Sequence, residues 1–264
     1  MNGPRWFPLV SLVAVFWCAS WCAASEGPGG FISRTYENPQ GNTLLYRLFV
    51  PTDLDPQARY PLVVFLHGAH GRGHDNRRQI TGGNAPGTNL WTRPENQRDY
   101  PCLVLAPQCP PRTVWANRFS DRPTQMTQLV LELVEKVTAD YNVDPDRVYV
   151  TGQSMGGFGT WDLIARRPDL FAAAVPLAAG GNVAKAALMA DVPIWVFHGK
   201  VDRAVSVREA QRIISALKKV GGSPRYTEYR NGGHDIGARA YAEPGLLPWL
   251  FSQKRSTDPA RFAP

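Results

Sequence analysis

The sequence predicts an α/β fold: a mostly parallel central sheet with helices on both faces and no large lid domain. Three observations carry this. Short, continuous apolar runs recur along the chain, helical patterns alternate with them, and glycines close several of the runs. Apolar runs of this length suit parallel strands buried on both faces. Helices between them are the crossovers that parallel neighbours need.

The runs fall in a clear order. LLYRLFVP (44–51), YPLVVFLHG (60–68), CLVLAP (102–107), RVYVTG (147–152), FAAAVPLAA (171–179) and PIWVFHG (193–199) read as strands, and RYTEYRNGG (225–233), being less apolar, reads as an edge. Residues 124–141 place Met126, Leu129, Leu133 and Val137 at three- and four-residue steps. That is the spacing of one helix face. Residues 155–167 form a shorter helix stopped by Pro168. Residues 207–222 carry a stripe of Ala210, Ile213, Ile214 and Leu217, then a glycine stop.

With 264 residues, 44% of them hydrophobic and 19% charged, the chain supports a sizeable core and not a disordered body. One catalytic domain is expected over 26–252, preceded by a leader at 1–25 and followed by a polar tail at 253–264. The leader reading rests on MNGPRW, the apolar run FPLVSLVAVFWCASW, and small residues that allow cleavage after Ala24 or Ser25. The apolar run covers roughly 16 residues where a membrane span needs about 20, so export without stable membrane insertion is expected. The net charge of +7 falls to about +6 once Arg5 is removed with the leader. No Lys/Arg run with interleaved aromatics accompanies it, which excludes a nucleic-acid partner. Cys18 and Cys22 leave with the leader. Cys102 opens a strand and Cys109 lies beyond its end, so extended geometry holds them too far apart for a disulfide unless the chain doubles back.

The decisive segment is RVYVTGQSMGGFGTW. Gly152, Gln153, Ser154, Met155 and Gly156 match G-x-S-x-G between a strand and a helix. A serine held on such a turn is forced into a strained conformation with its hydroxyl pushed out, and the flanking glycines remove side chains that would collide. The base must follow the serine, and the acid must lie between them. Of His67, His70, His74, His198 and His234, the first three precede Ser154. His234, in NGGHD, follows the last strand and is the expected base. Asp202 lies just beyond PIWVFHG and is the expected acid. Asp191 would face the wrong end of the sheet, and Asp235 adjoins His234. The oxyanion donors are expected at the main-chain N–H of Met155 and of Ala69, with Gly68 as the second choice for the latter. His67 and His198 end strands and are expected to support loops through hydrogen bonds. His70, His74 and Asp75 share a loop and invite a metal reading, but polar loops often hold such clusters. No metal and no cofactor are expected, for no P-loop or dinucleotide fingerprint is present.

Two segments, 68–100 and 106–123, are rich in glycine, proline and polar residues and read as long irregular loops at strand ends, where open α/β sheets keep their sites. Trp91, Trp115 and Phe119 are possible substrate contacts. Contact and core are equally open for Trp115, and Trp161 is expected in the core. GGNVAKAALMAD, between two strands, is too short for a bulky lid.

The quoted segments resemble a known group. FLHGAHGRG (65–73), LAPQCP (105–110) with Trp115, VYVTGQSMGGFGTWDLIARRPDLFAAAVPLAAG (148–180), FHGKVD (197–202) and GGHD (232–235) are similar to secreted bacterial esterases of the α/β-hydrolase fold. These are related to polyhydroxybutyrate depolymerases, feruloyl esterases and small prolyl-oligopeptidase-like hydrolases. The resemblance covers most of residues 40–252. It implies Ser154 as nucleophile, Asp202 as acid, His234 as base, and an ester substrate, including polymeric ones. One departure is His70, which stands where related loops often have glycine and would narrow or polarise the leaving-group side. A prolyl-oligopeptidase-type peptidase is the alternative enzyme, though no propeller restricts entry. An inactive carbohydrate-binding protein would need no ordered serine, aspartate and histidine.

Overall fold

The computed structural model describes residues 28–52, 54–117 and 121–255. The expected leader, Phe119 and the last part of the polar tail lie outside the described residues. Eight strands form one sheet: β1 (Ile32–Glu37), β2 (Thr43–Phe49), β3 (Tyr60–Leu66), β4 (Leu103–Gln108), β5 (Val143–Gln153), β6 (Ala173–Leu177), β7 (Trp195–Gly199) and β8 (Arg225–Tyr229). Their spatial order is β1-β2-β4-β3-β5-β6-β7-β8. The β1–β2 and β2–β4 pairs are antiparallel, and every pair from β4 to β8 is parallel.

The helices are α1 (Pro86–Thr92), α2 (Pro94–Asp99), α3 (Gln125–Asp140), α4 (Met155–Arg166), α5 (Val207–Lys219), α6 (Gly237–Tyr241) and α7 (Leu246–Ser252). Strand alternation sends side chains to two separate core layers. In β3, Leu62, Val64 and Leu66 join the layer built with α3, α4 and α5, and Val63 and Phe65 join the layer built with α1, α6 and α7. Thr124 caps α3 through its hydroxyl, which accepts from Thr127 N at 3.0 Å, and Ser206 caps α5 in the same manner.

The segment 68–100 is not the irregular loop that its composition predicts. It contains α1, α2 and three short 3-10 turns. Pro86 and Pro94 each occupy the first turn of a helix, where a missing N–H costs nothing. Both helices are too short for periodicity to reveal. Trp91 and Trp115 are also corrected. Each is 1% exposed, Trp91 in the α1 layer and Trp115 in the α3–α5 layer. Their indole N–H groups donate to Gly87 O at 2.7 Å and to His67 O at 3.0 Å. They fill the core and cannot form walls of a cleft. Trp161 lies in the core as well.

The tail is held through Arg255, whose guanidinium pairs with Asp146 at 2.8 Å and donates to Asp169 O. Among the described residues Cys102 and Cys109 are unbonded, and both are buried, one in each core layer. The sheet itself separates them. Among the described residues no helix is long and apolar enough to cross a membrane.

Candidate active site

Strand order reverses between β3 and β5: β4 follows β3 on one side and β5 pairs with it on the other. Connections leaving such a switch point diverge and open a crevice. The Gly68–Gly71 turn leaves β3 here, and the Ser154 turn leaves β5. They adjoin, for a Cβ on Gly68 would stand 3.6 Å from Gln153 O.

Ser154 has φ 56° and ψ −116°, a backbone conformation rarely taken by a side-chain-bearing residue. The chain can turn there because Gly152 and Gly156 are bare. A Cβ on Gly156 would overlap the Leu66 carbonyl, and one on Gly152 would come within 2.7 Å of the Gly156 carbonyl. Ser154 N donates to Leu177 O at 2.9 Å, fixing the turn to β6. α4 begins at the next residue, with its N-terminal end beneath the hydroxyl.

The structure brings the three predicted residues together from three separate connections. His234 Nε2 lies 2.8 Å from Ser154 Oγ, and His234 Nδ1 lies 2.8 Å from Asp202 Oδ2. Asp202 Oδ1 accepts from Ala204 N at 2.8 Å and Val205 N at 2.9 Å. The Asp202 side chain is fully buried, while that of His234 is 31% exposed. Burial pushes the Asp202 carboxyl up, but the His234 N–H and the Val205 and Ala204 amides outweigh it and hold the group below the ordinary carboxylate range. Asp191 and Asp235 are exposed on the surface.

Met155 and Ala69 occupy the two sides of the crevice. Among the described residues neither main-chain N–H meets a protein acceptor. Gly68 N is already committed to Asn84 Oδ1 at 3.0 Å, whereas the N–H of Ala69 has no such partner among the described residues. Asn84 thus anchors the turn, a role with no sequence signature. His67 is buried beneath the same turn. Cys109 N donates to its Nε2 at 2.9 Å, and its Nδ1 donates to Gly68 O at 2.6 Å. Burial lowers its pKa to about 4. His198 is also buried, with Nε2 near Val205 O and Asp202 Oδ2. Gln153 Nε2 donates to His234 O.

His70 and His74 are exposed, and Asp75 accepts from Gln108, Arg77 N and Arg78 N. No cluster of three or more His, Cys, Asp or Glu among the described residues is arranged for a metal ion. Between β6 and β7 the chain forms only a 3-10 segment, Val183–Met189. A cavity of about 510 Å³ runs along the flank of α4, lined by Phe158, Trp161, Asn182, Lys185 and Arg212 among others. Phe158 lies one helical turn beyond Ser154.

Comparison with known proteins places this geometry in context. The bifunctional acetylxylan esterase/xylanase of Neocallimastix patriciarum is 25% identical over 176 residues, covering 67% of this chain. The poly(3-hydroxybutyrate) depolymerase of Ralstonia pickettii is 29% identical over 181 residues, covering 62% of this chain. The chain spans only 24% and 35% of the lengths of these two relatives. A solved thermostable esterase superposes with a TM-score of 0.80 at 42% identity, over 85% of this chain and 63% of the other. The fold is the α/β-hydrolase fold. The dienelactone hydrolase family model matches residues 103–242, more than half of the chain, and the chain belongs to the dienelactone hydrolase family of esterases and related hydrolases.

Proposed function

We propose that this chain is a serine carboxylic ester hydrolase that works through an acyl-enzyme on Ser154. The observation that supports the reading most is the relay of two 2.8 Å contacts from Ser154 Oγ through His234 to Asp202. On this reading Ser154 Oγ attacks the ester carbonyl carbon as its proton passes to His234 Nε2. The amides of Met155 and Ala69 receive the oxyanion, and donors of this kind contribute about 2.7–4 kcal/mol each. Asp202 holds the imidazole in the Nδ1–H tautomer and steadies the cation. His234 returns the proton to the departing alcohol. Water, deprotonated by the same imidazole, then attacks the acyl carbon, releasing the acid and restoring Ser154.

The substrates we propose are exposed acyl or aryl esters, including those carried on carbohydrate or polyester chains. The short β6–β7 connection and the partial exposure of His234 favour a bulky alcohol or acyl partner that stays outside the fold. The acetylxylan esterase and polyhydroxybutyrate depolymerase among the relatives point to the same class. With the leader pattern at 1–25, they also support export.

A fluorophosphonate probe tests the nucleophile: folded wild type is labelled at Ser154, and Ser154→Ala is neither labelled nor active. Absence of labelling on folded wild type overturns the reading. A panel of aryl, feruloyl, acetyl-sugar and short-chain acyl esters, run beside a proline-containing peptide, tests the class. Cleavage of the peptide in preference to every ester would make the chain a peptidase.

A further inference from the structure

We propose that His198 is a positioning residue for Asp202: its imidazole N–H bonds the acid loop at Val205 O and lies against the carboxylate oxygen that faces His234. The inference rests on the serine-hydrolase reading and goes beyond it in assigning a fourth residue to the relay.

His198 is the penultimate residue of β7 and is fully buried. Its Nε2 lies 3.0 Å from Val205 O and 3.3 Å from Asp202 Oδ2. A carbonyl and a carboxylate both accept, so this nitrogen carries the hydrogen. The other ring nitrogen, Nδ1, is buried with no hydrogen-bond partner among the described residues. An apolar residue of the same size would leave no such nitrogen unpaired. What the imidazole adds over an apolar residue is one N–H directed at the acid and its loop.

Together these contacts surround the carboxylate. Oδ1 takes two main-chain amides and Oδ2 takes the His234 imidazole, while His198 Nε2, bonded to Val205 O, stands 3.3 Å from Oδ2. The loop itself is stitched to its neighbours, with Lys200 N on Tyr229 O and Val201 N on Gly232 O, both at 3.0 Å. The acid loop and the turn before His234 are therefore joined by main-chain hydrogen bonds, and His198 ties the acid loop to β7.

The chemical effect is on how strongly Asp202 pulls the proton of His234. An N–H held close to a carboxylate stabilises its charged form. With His198 in place, Oδ2 orients the imidazolium formed during attack without taking its proton. Without it, the carboxylate becomes a stronger acceptor toward His234 and loses one of its restraints. Other charged groups near His198 are few. β6 contains no titratable residue, the buried face of α5 is Ala210, Ile213, Ile214 and Leu217, and β8 places Glu228 in register with His198. Glu228 is held by Tyr226 and Gln211.

The test compares His198→Leu, which keeps bulk without a donor, with His198→Gln, whose amide nitrogen sits near the Nε2 position. Rate against pH on an aryl ester, thermal midpoints, and Ser154→Ala are measured together. We expect His198→Leu to lower kcat about 10- to 100-fold with KM within about twofold. The acidic limb of its kcat/KM profile should move to higher pH, and His198→Gln should restore most of the rate and the original limb. The proposal is overturned if His198→Leu keeps wild-type kcat and limb. It is equally overturned if both variants lose rate in step with thermal stability while the limb stays put. Should His198→Leu fail to fold, His198→Asn, whose amide falls short of Asp202, replaces it in the comparison. Full activity in Ser154→Ala would instead refute the serine reading, so the two failures are distinguishable.

Discussion

Gln153 Nε2 donates to the main-chain carbonyl of His234 at 2.9 Å, so the residue before the proposed nucleophile holds the loop of the proposed base. A Cβ on Gly237 would overlap the Gln153 amide oxygen, which shows how closely the loop is packed on it. Gln153→Ala should lower kcat about tenfold, with KM little changed, because orientation and not binding is lost. Stability should fall by about 1 kcal/mol. Steady-state kinetics beside urea unfolding separate the two effects, and an unchanged kcat would show that the loop holds its place alone.

Gly156 has no room for a side chain. Gly156→Ala would drive a methyl group into the Leu66 carbonyl, part of the β3 backbone and unable to yield. A destabilisation of about 3 kcal/mol or more, or failure to recover folded protein, is expected. At Gly233 a Cβ would meet nothing within 4 Å, so Gly233→Ala should change stability by less than about 1 kcal/mol. Denaturant midpoints for both variants check the contrast.

His67 links stability to pH. Burial lowers its pKa from 6.5 to about 4, against the opposing hydrogen bond to Gly68, with Arg72 lowering it further. Between those values the unfolded chain binds a proton that the folded chain refuses. Stability therefore falls as pH drops from about 6.5 to about 4, by on the order of 3 kcal/mol in total. Asp75, Asp144, Asp169 and Asp202 are held below the ordinary carboxylate value of 3.8, so the stability they contribute is lost at lower pH. Urea unfolding at pH 7, 5.5 and 4 should show the loss in wild type and a flatter course in His67→Gln. The same slope in both proteins would exonerate His67.

Cys102 and Cys109 should resist thiol reagents in the native state. Burial pushes both thiols up to about 12, and neither side chain reaches the surface. The thiolate, the reactive form, is then scarce at neutral pH. Ellman's reagent should titrate neither cysteine until denaturant is added, and a reductant should leave the thermal midpoint unchanged. Rapid labelling of either thiol in folded protein would contradict the packing.

Trp115 offers a test between core and cleft. Its ring meets His67 edge-on at a centroid distance of 5.0 Å, and its N–H serves His67 O. Trp115→Phe should cost about 1–3 kcal/mol of stability through the unpaired carbonyl and the space left behind. KM should stay within about twofold of wild type. A several-fold rise in KM with unchanged stability would return Trp115 to the substrate.

The parallel strands were legible because buried strands concentrate β-branched and aromatic residues in short runs, as in Leu62–Leu66. α3 and α5 were legible from the spacing of Leu129, Leu133 and Val137 and of Ala210, Ile213 and Leu217. β1 was not, since ISRTYE is an edge strand whose half-exposed residues carry little apolar signal. α1 and α2 hid in a segment of glycine and polar residues because each is shorter than two turns. The tryptophans misled for a different reason. An indole in a polar segment looks like a ligand platform, yet Trp91 and Trp115 are the apolar plugs by which those segments attach to the sheet. The grouping of Ser154, Asp202 and His234 followed from chain order, whereas the contributions of Asn84, Gln153 and His198 depend on contacts between residues far apart in sequence.

The division at the β3–β5 switch has a practical consequence. Ser154, Asp202 and His234 hang from β5, β7 and β8, while the segments that could reach over them from the other side hang from β3 and β4. On the proposed reading, bond-breaking is thus carried on β5, β7 and β8, apart from the spans that leave β3 and β4. Exposed positions on those spans, such as His74 and Arg112, could be exchanged while Asn84, Trp91, Trp115 and Thr124 stay, to redirect the proposed esterase toward a new ester. The scaffold then behaves as a chassis with interchangeable surface fittings, and a library confined to those exposed positions would be the economical way to search its range.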